Sequence, residues 1–435
     1  MSDEATFGGA RPLRGSLRLP GDKSLSHRSL IFAAVARGTS RLRSLAPGAD
    51  VAATRRIAGQ LGVRMRDVDD AAVITGHGFT GLREAEDLLD CANSGTSMRV
   101  LAGLLAGRPF LSVLAGDGSL SKRPMARVVE PLRAMGAAID GRHDGTLAPL
   151  TIRGGGITGA RLAPAVASAQ VKSAIMLAAL QAEGATEITE PARSRDHTER
   201  MLTALGASVA VDGRTVRVEP IASLDAPWDG FDIDVPGDPS SAAFFAVAAV
   251  ITPGSEVVLE HVAVNPTRLG FVDVLRRMGA PIEVHETGVV LGEPVGDIVV
   301  RSAPLVATTL EGDEIPSVLD EIPVLAVAAA FADGVTEIRD AAELVVKESN
   351  RIGAIQQELA QLGIGVEARA DGLTIRGGVA RSGSPLKSHG DHRIAMMAAV
   401  AAHGLEEPSV VRGWQCVAVS YPAFAEDLQR LAGEP

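Results

Sequence analysis

One phrase recurs six times along this chain and constrains its fold more than any single motif. The phrase is L-x-x-L/M-G-A-x-V: a helix end, a glycine and the start of a strand. It reads AGQLGVRM, LRAMGAAI, LTALGASV, LRRMGAPI and LAQLGIGV, with LQRLAG as a truncated last copy. The glycines are Gly62, Gly136, Gly206, Gly279, Gly363 and Gly433, roughly 70 to 84 residues apart, a period that marks a repeated structural unit. Glycine suits the residue just past a helix end, where the left-handed conformation costs least without a Cβ.

A second phrase keeps the same rhythm. It is a helix of small apolar residues closed by Gly38, Gly107, Gly184, Gly254, Gly334 and Gly404. The copies are SLSHRSLIFAAVARG, SGTSMRVLAGLLAG, SAQVKSAIMLAALQAEG, SSAAFFAVAAVITPG, EIPVLAVAAAFADG and DHRIAMMAAVAAHG. A helix apolar on nearly all faces is buried, whereas the amphipathic RVVEPLRAMG type lies outside. Each unit therefore carries an inner helix, an outer helix and several strands. Six such units exceed one ordinary core, so two domains of three units are expected. The seam is expected near VPGDPSSAAF (235–244), and the one strand ahead of Gly21, GSLRLP, suits either half.

Composition narrows the class. Apolar residues make up 46% and aromatics 3%, so small aliphatic side chains fill the core. The formal charge of −11 opposes a large nucleic-acid footprint but not a small basic pocket for anions. Cys91 and Cys416 form neither a disulfide framework nor a zinc-ligand pattern, which suggests a reduced intracellular protein. The acidic start MSDEATFGGA is neither a secretory nor a transit signal, and the apolar runs near 242–252 and 322–332 fall short of the ~20 residues of a membrane span. A cytoplasmic protein is expected.

The chemistry concentrates where the inner helices begin: GDKSLSHR, CANSGTSMR, ASAQVKS, GDPSS, LDEIP and GDHR. A helix N-terminus presents free N–H groups and partial positive charge, a natural anion site. Ser, Thr and Asp there are explained equally well as N-caps. Lys23, Arg28, Arg99 and Arg393 are not, because a cation disfavours a helix start unless an anion joins it. Further cations sit near the outer helices: Arg123, Arg195, and Lys347 with Arg351 four residues on, sharing a helix face beside Glu348.

Ten segments in order closely resemble the EPSP synthase family of enolpyruvyl transferases. They are PGDKSLSHR (20–28), NSGTSMR (93–99), SLSKRPM (119–125), SAQVKSA (168–174), SRDHTERML (194–202), VPGDPSSAAF (235–244), NPTR (265–268), LDEIPVLAVAAAFADG (319–334), VKESNRI (346–352) and GDHRIAM (390–396). The resemblance implies an α/β, two-domain enolpyruvyl-transferase fold of six βαβαββ-type units, three per domain, with buried inner helices. It implies that residues 1–20 plus 241–435 form one discontinuous domain carrying Asp320, Glu348 and Arg393. Residues 21–240 form the other, carrying Lys23, Arg123 and Gln170, with the active site in the cleft between them. The implied reaction moves the enolpyruvyl group of phosphoenolpyruvate to the 5-hydroxyl of shikimate 3-phosphate by addition and elimination. Phosphate is released, and no metal or organic cofactor takes part.

By the same resemblance, Lys23, Ser24, Arg28, Ser168, Ala169, Gln170, Arg195, Asp320 and Lys347 hold shikimate 3-phosphate. Lys23, Gly95, Arg123, Gln170, Arg351 and Arg393 hold phosphoenolpyruvate. Asp320 matches the hydroxyl base, Glu348 the carboxyl that handles the methyl proton, and Lys23 a further proton carrier. Asp320 also stands where an N-cap would. The partners are thus two small molecules, with no nucleic acid or membrane, and a monomer is the default. Two positions bear on departures from the family pattern. Val419 replaces a lysine that many relatives place near the C-terminus. The chain is similar to the family's second sequence class but keeps Gly95 where tolerant members carry Ala, which implies sensitivity to glyphosate. Three other readings are weaker, one of them a non-catalytic sugar-phosphate binder, which would keep the cations but not need Asp320 and Glu348. UDP-N-acetylglucosamine enolpyruvyl transfer wants a cysteine ahead of Arg123-Pro124, and RNA 3′-phosphate cyclisation wants a basic, aromatic surface.

Overall fold

The structure, a computed structural model, describes residues 3–378 and 384–433. Its chain divides into two compact units. The first comprises Met1–Pro20, Pro236–Gly288 and Pro294–Pro435; the second comprises Gly21–Val235 and Val289–Glu293.

The repeat is plainest in the second unit. Strand Arg161–Leu162 leads into the buried helix Ala169–Ala179, then strand Thr186–Thr189, the outer helix His197–Ala204, and strands Val209–Asp212 and Thr215–Val218. The first two strands pair in parallel and the last two join antiparallel, giving the spatial order first, second, fourth, third. The unit before it repeats this order with Leu89–Asp90, Leu111–Ala115, Leu147–Arg153 and Ala138–Gly141, around the helices Gly95–Ala106 and Ala126–Ala134. In the earliest repeat, built on the helices Lys23–Val35 and Ala49–Gln60, the opening strand comes from elsewhere in the sequence. Asp232–Asp234 pairs in parallel with Arg37–Arg43, which continues into Ala71–His77 and Arg64–Val68.

The first unit has the same logic with two further exchanges. Strand Arg14–Arg18 pairs in parallel with Glu256–Ala263 and opens the repeat built on helices Pro239–Ile251 and Gly270–Arg277. This is the GSLRLP strand that sequence left open between the halves. The repeat built on helices Ile322–Ala330 and Arg351–Gln361 is regular. Among the described residues the last repeat, on helices His392–His403 and Phe424–Leu431, has three strands, and its third is Glu4–Phe7, antiparallel to Ser409–Arg412. That N-terminal strand was not expected from sequence. Its pairing with Ser409–Arg412 brings the start of the chain into the sheet of the last repeat.

Burial follows the two helix classes. Every residue of His392–His403 is buried. In Gly270–Arg277 the buried side includes Phe271, Val272, Val274 and Leu275, while both arginines of the last turn stay out of the core. The six glycines that end the outer helices have φ between 72° and 98°, the left-handed region inferred from their spacing. The few aromatics gather in clusters: Phe7, Phe244, Phe245, Trp414, Tyr421 and Phe424 in the first unit, and Phe32, Phe79 and Trp228 in the second. Small residues elsewhere let the inner helices cross closely. At Gly103 an added Cβ would lie 2.0 Å from the Ala174 carbonyl oxygen of the neighbouring inner helix.

Alanine in a helix is intrinsically better than glycine by about 1 kcal/mol, but overpacking a fixed backbone costs about 1–3 kcal/mol or more. Gly103→Ala is therefore expected to destabilise the protein and lower its urea midpoint. An unchanged midpoint would mean that the two helices separate at no cost.

Candidate functional site

Each unit carries its own cluster of polar side chains at the starts of its inner helices. Five of the six inner helices are capped by a side chain. Asp22 accepts from Leu25 N, Ser94 from Ser97 N, Ser168 from Val171 N, Asp238 from Ser240 N and Asp391 from Arg393 N. The capping explanation of these residues is thus correct, and it leaves the adjacent cations to be explained. Asp320 is not the cap of its helix. That position falls to Glu321, which makes no side-chain cap bond.

In the second unit, the Lys23 ammonium pairs with Asp50 Oδ2 at 3.1 Å. Arg28 is buried. Its Nε donates to Thr198 Oγ1 and its Nη2 to Ser173 Oγ, both at 2.7 Å, and its Nη1 donates to the carbonyl of Ser24 at 2.9 Å. Burial pushes Arg28 down to about 10, opposed by Glu199, Asp22 and Glu293 and reinforced by the half-buried Arg195, so the guanidinium is still charged at neutral pH. The next residue towards the N-terminus, His27, is driven down to about 3, chiefly by burial, and is neutral. Its Nδ1 lies 2.7 Å from Thr54 Oγ1, which in turn lies 2.7 Å from Ser97 Oγ, tying the starts of two inner helices together.

Gln170 joins a second pair of helix starts. Its Oε1 accepts from Arg99 Nη1 at 2.7 Å and its Nε2 donates to Thr96 Oγ1 at 2.9 Å. Arg123 donates to Asn93 Oδ1 at 2.6 Å. Gly95 lies between these arginines, and a Cβ there would stand 3.0 Å from Arg99 Nη1 and 3.5 Å from Arg123 Nη1. Ser168 and Ala169 begin the helix that bears Gln170, and the Ala169 carbonyl accepts from Ser173 Oγ at 2.6 Å. Behind them Lys172 is buried between Glu190 and Glu199, at 2.7 and 2.6 Å. A cavity of about 440 Å³ opens beside Lys172, lined also by Arg193, Arg200 and Arg214, and none of the site residues expected from sequence lines it.

The first unit is organised by Arg351, whose side chain is 1% exposed. Its Nε pairs with Asp391 Oδ2 at 2.8 Å, its Nη2 with Glu348 Oε2 at 2.6 Å, and its Nη1 with Asp320 Oδ1 at 3.4 Å. Burial alone would lower this guanidinium's pKa. Asp391, Glu348 and Asp320 outweigh it and hold the pKa well above the ordinary arginine value. Asp391 is likewise opposed by burial, yet Arg351 and His392 keep its carboxyl below the usual range. Lys347 reaches Asp320 Oδ1 at 3.3 Å, and Arg393 Nη1 donates to the Asp320 carbonyl at 2.8 Å. Val419 ends the short helix Trp414–Val419 and adds no charge.

Sequence reasoning named the ends of these networks and missed their middles. Asp391, Asp50, Asn93, Thr96, Ser173 and Thr198 were not assigned roles. Asp391 was visible only as a cap in GDHR, since a cap signal is local and says nothing of a second partner 40 residues away. Ser173 and Thr198 stand within matched segments, but ordinary helix composition explains each.

A model of the family described as EPSP synthase (3-phosphoshikimate 1-carboxyvinyltransferase) matches residues 8–428. A 3-phosphoshikimate 1-carboxyvinyltransferase of Desulforudis audaxviator is 52% identical over 423 residues, covering 97% of this chain and 98% of that one. One from Bacillus velezensis is 48% identical over 421 residues, covering 97% of each. Among solved structures, an EPSP synthase from Acinetobacter baumannii superposes with a TM-score of 0.87 at 41% identity over 98% of both chains. The enolpyruvyl transferase NikO from Streptomyces tendae has a TM-score of 0.78 at 19% identity, covering 98% of this chain and 96% of that one, a likeness of fold alone. With a family model spanning nearly its whole length, and relatives near half identity covering it end to end, the chain belongs to the EPSP synthase family.

Proposed function

We infer that this protein transfers the enolpyruvyl group of phosphoenolpyruvate to the 5-hydroxyl of shikimate 3-phosphate and releases phosphate. The observation that carries this reading is Arg351, one guanidinium touching both Asp320 and Glu348. Addition to phosphoenolpyruvate needs a proton taken from the attacking hydroxyl and another delivered to the methylene carbon. Elimination of phosphate reverses the second transfer. Two carboxyl groups oriented by one shared cation suit paired proton work. Asp320 takes the hydroxyl proton, Glu348 serves the methyl carbon, and Lys23 is a further proton carrier.

Substrate charge accounts for the cations. Each substrate bears a carboxylate and a phosphate, together about −2.5 to −3 at neutral pH. Arg28, with two nitrogens held by Ser173 and Thr198, is preorganised for the shikimate phosphate together with Ser24, Ser168, Ala169, Gln170, Arg195 and Lys347. Lys23, Gly95, Arg123, Gln170, Arg351 and Arg393 receive phosphoenolpyruvate. Neither unit carries the whole set. The enzyme acts as a cytoplasmic monomer on small molecules, and no helix among the described residues is long and apolar enough to cross a membrane.

Phosphate release from phosphoenolpyruvate is expected with shikimate 3-phosphate, and not with UDP-N-acetylglucosamine or a 3′-phosphorylated RNA offered in turn. No release with shikimate 3-phosphate would remove the reading. Asp320→Asn should retain affinity for shikimate 3-phosphate in equilibrium binding while turnover falls about 10²-fold or more; unchanged turnover would assign the hydroxyl proton to another base. With no methyl at Gly95 to press on Arg99 and Arg123, glyphosate should inhibit in competition with phosphoenolpyruvate. Activity that persists at a large excess of inhibitor would show that Gly95 does not set sensitivity.

A further inference from the structure

Lys172 and Glu199, in the matched segments SAQVKSA and SRDHTERML, have no role in the chemistry described so far, yet each adjoins a residue that clasps Arg28. Lys172 is buried on the inner helix Ala169–Ala179, and Glu199 is buried in the first turn of the outer helix His197–Ala204. The Lys172 ammonium meets Glu199 Oε1 at 2.6 Å. One residue along each helix, Ser173 Oγ lies 2.6 Å from Thr198 Oγ1. The two helices are thus joined by two adjacent rungs. The second rung is the clasp itself, since Arg28 Nε donates to Thr198 and its Nη2 to Ser173. Glu190 Oε2 also holds the Lys172 ammonium, at 2.7 Å, and its other oxygen accepts from Ser194 Oγ, one residue before Arg195. Farther along, the outer helix faces the cavity of about 440 Å³, which its Arg200, Thr203 and Ala204 line together with Val211 and Val216 of the strands beyond.

We propose that Lys172 and Glu199 are positioning residues, a buried ion pair that registers the outer helix on the inner one and so keeps Thr198 on Arg28 in the geometry that receives the shikimate phosphate. The proposal rests on the function inferred above. A charge-assisted bond is roughly twice as strong as one between neutral groups, so the ion-pair rung fixes the helix spacing more firmly than the hydroxyl rung beside it. The cavity removes packing contacts from the next turn of the outer helix, so the polar rungs bear more of its placement. A slip of about half an ångström at Thr198 would stretch its 2.7 Å bond to Arg28 to the edge of the usual range. Charge alone predicts the opposite consequence. Burial lowers the pKa of Arg28, and Glu199 leads the carboxylates that oppose this, so Glu199 acts electrically on the phosphate site. As a bare charge it repels a substrate phosphate. Removing it tightens phosphate binding if charge governs and weakens it if position governs.

The test is calorimetric titration of shikimate 3-phosphate into variants of the full chain, with thermal melting to verify that each is folded. Lys172→Met strands two buried carboxylates and would test folding more than position, so Glu199 carries the cycle. Glu199→Ala removes the rung and should weaken binding about tenfold, with phosphoenolpyruvate affinity changed less than about twofold. Glu199→Gln removes the charge but keeps an oxygen that accepts from Lys172, and should recover most of the affinity. In a Thr198→Val background, which already lacks the hydroxyl on Arg28, Glu199→Ala should add little further loss. General loosening of the unit would not produce that non-additivity. A parent protein that binds shikimate 3-phosphate but releases no phosphate from phosphoenolpyruvate would remove the functional reading, and the binding cycle would still decide this one. A parent with no affinity for shikimate 3-phosphate overturns both. Unchanged or tighter binding in Glu199→Ala, or full additivity with Thr198→Val, overturns the proposal alone.

Discussion

A helix buried on every face has nowhere to hide its first turn. The four N–H groups that lack intrahelical partners must be answered by side chains or ligand, because water is kept from much of the surrounding core. This chain faces that demand six times. Asp22, Ser94, Ser168, Asp238 and Asp391 answer it by capping, and Glu321 stands at the sixth start without doing so. Polar residues are therefore forced to the same end of every inner helix, and the repeat brings those ends together within each unit. Clusters of polar and charged side chains of this kind are a by-product of burying helices whole.

The cations at the starts of the inner and outer helices are held rather than loose. Arg28 is clasped by two hydroxyls and a carbonyl, Arg99 by Gln170, Arg123 by Asn93 and Arg351 by three carboxylates. Neutral partners fix geometry without cancelling charge. Carboxylate partners do cancel charge. Arg351 is accordingly the keystone of the first unit's carboxyl pair, because removing one partner of a buried ion pair strands the rest at a cost of about 3–5 kcal/mol.

The repeat, the two classes of helix, the glycine at each outer helix end and nearly all the cations were legible in the sequence, because each depends on residues a few positions apart. Periodic apolar residues bury a helix wherever it sits, and a left-handed glycine is needed whatever follows it. The strand exchanges were not legible. Arg14–Arg18, Asp232–Asp234 and Glu4–Phe7 are short segments whose composition suits many edges, and only the vacancies left by other repeats choose among them.

The same division holds at the site. Sequence by itself determined which residue types stand at the helix starts and in what order, since capping and helix-face spacing are local. Tertiary structure alone decided that Asp391 serves Arg351 as well as its own helix, and that Arg351 touches both Asp320 and Glu348. The physical reason is that a buried charge takes whichever partner the packing brings within bonding distance. Those partners come from helices tens of residues apart, and a few tenths of an ångström separate a hydrogen bond from a neighbour.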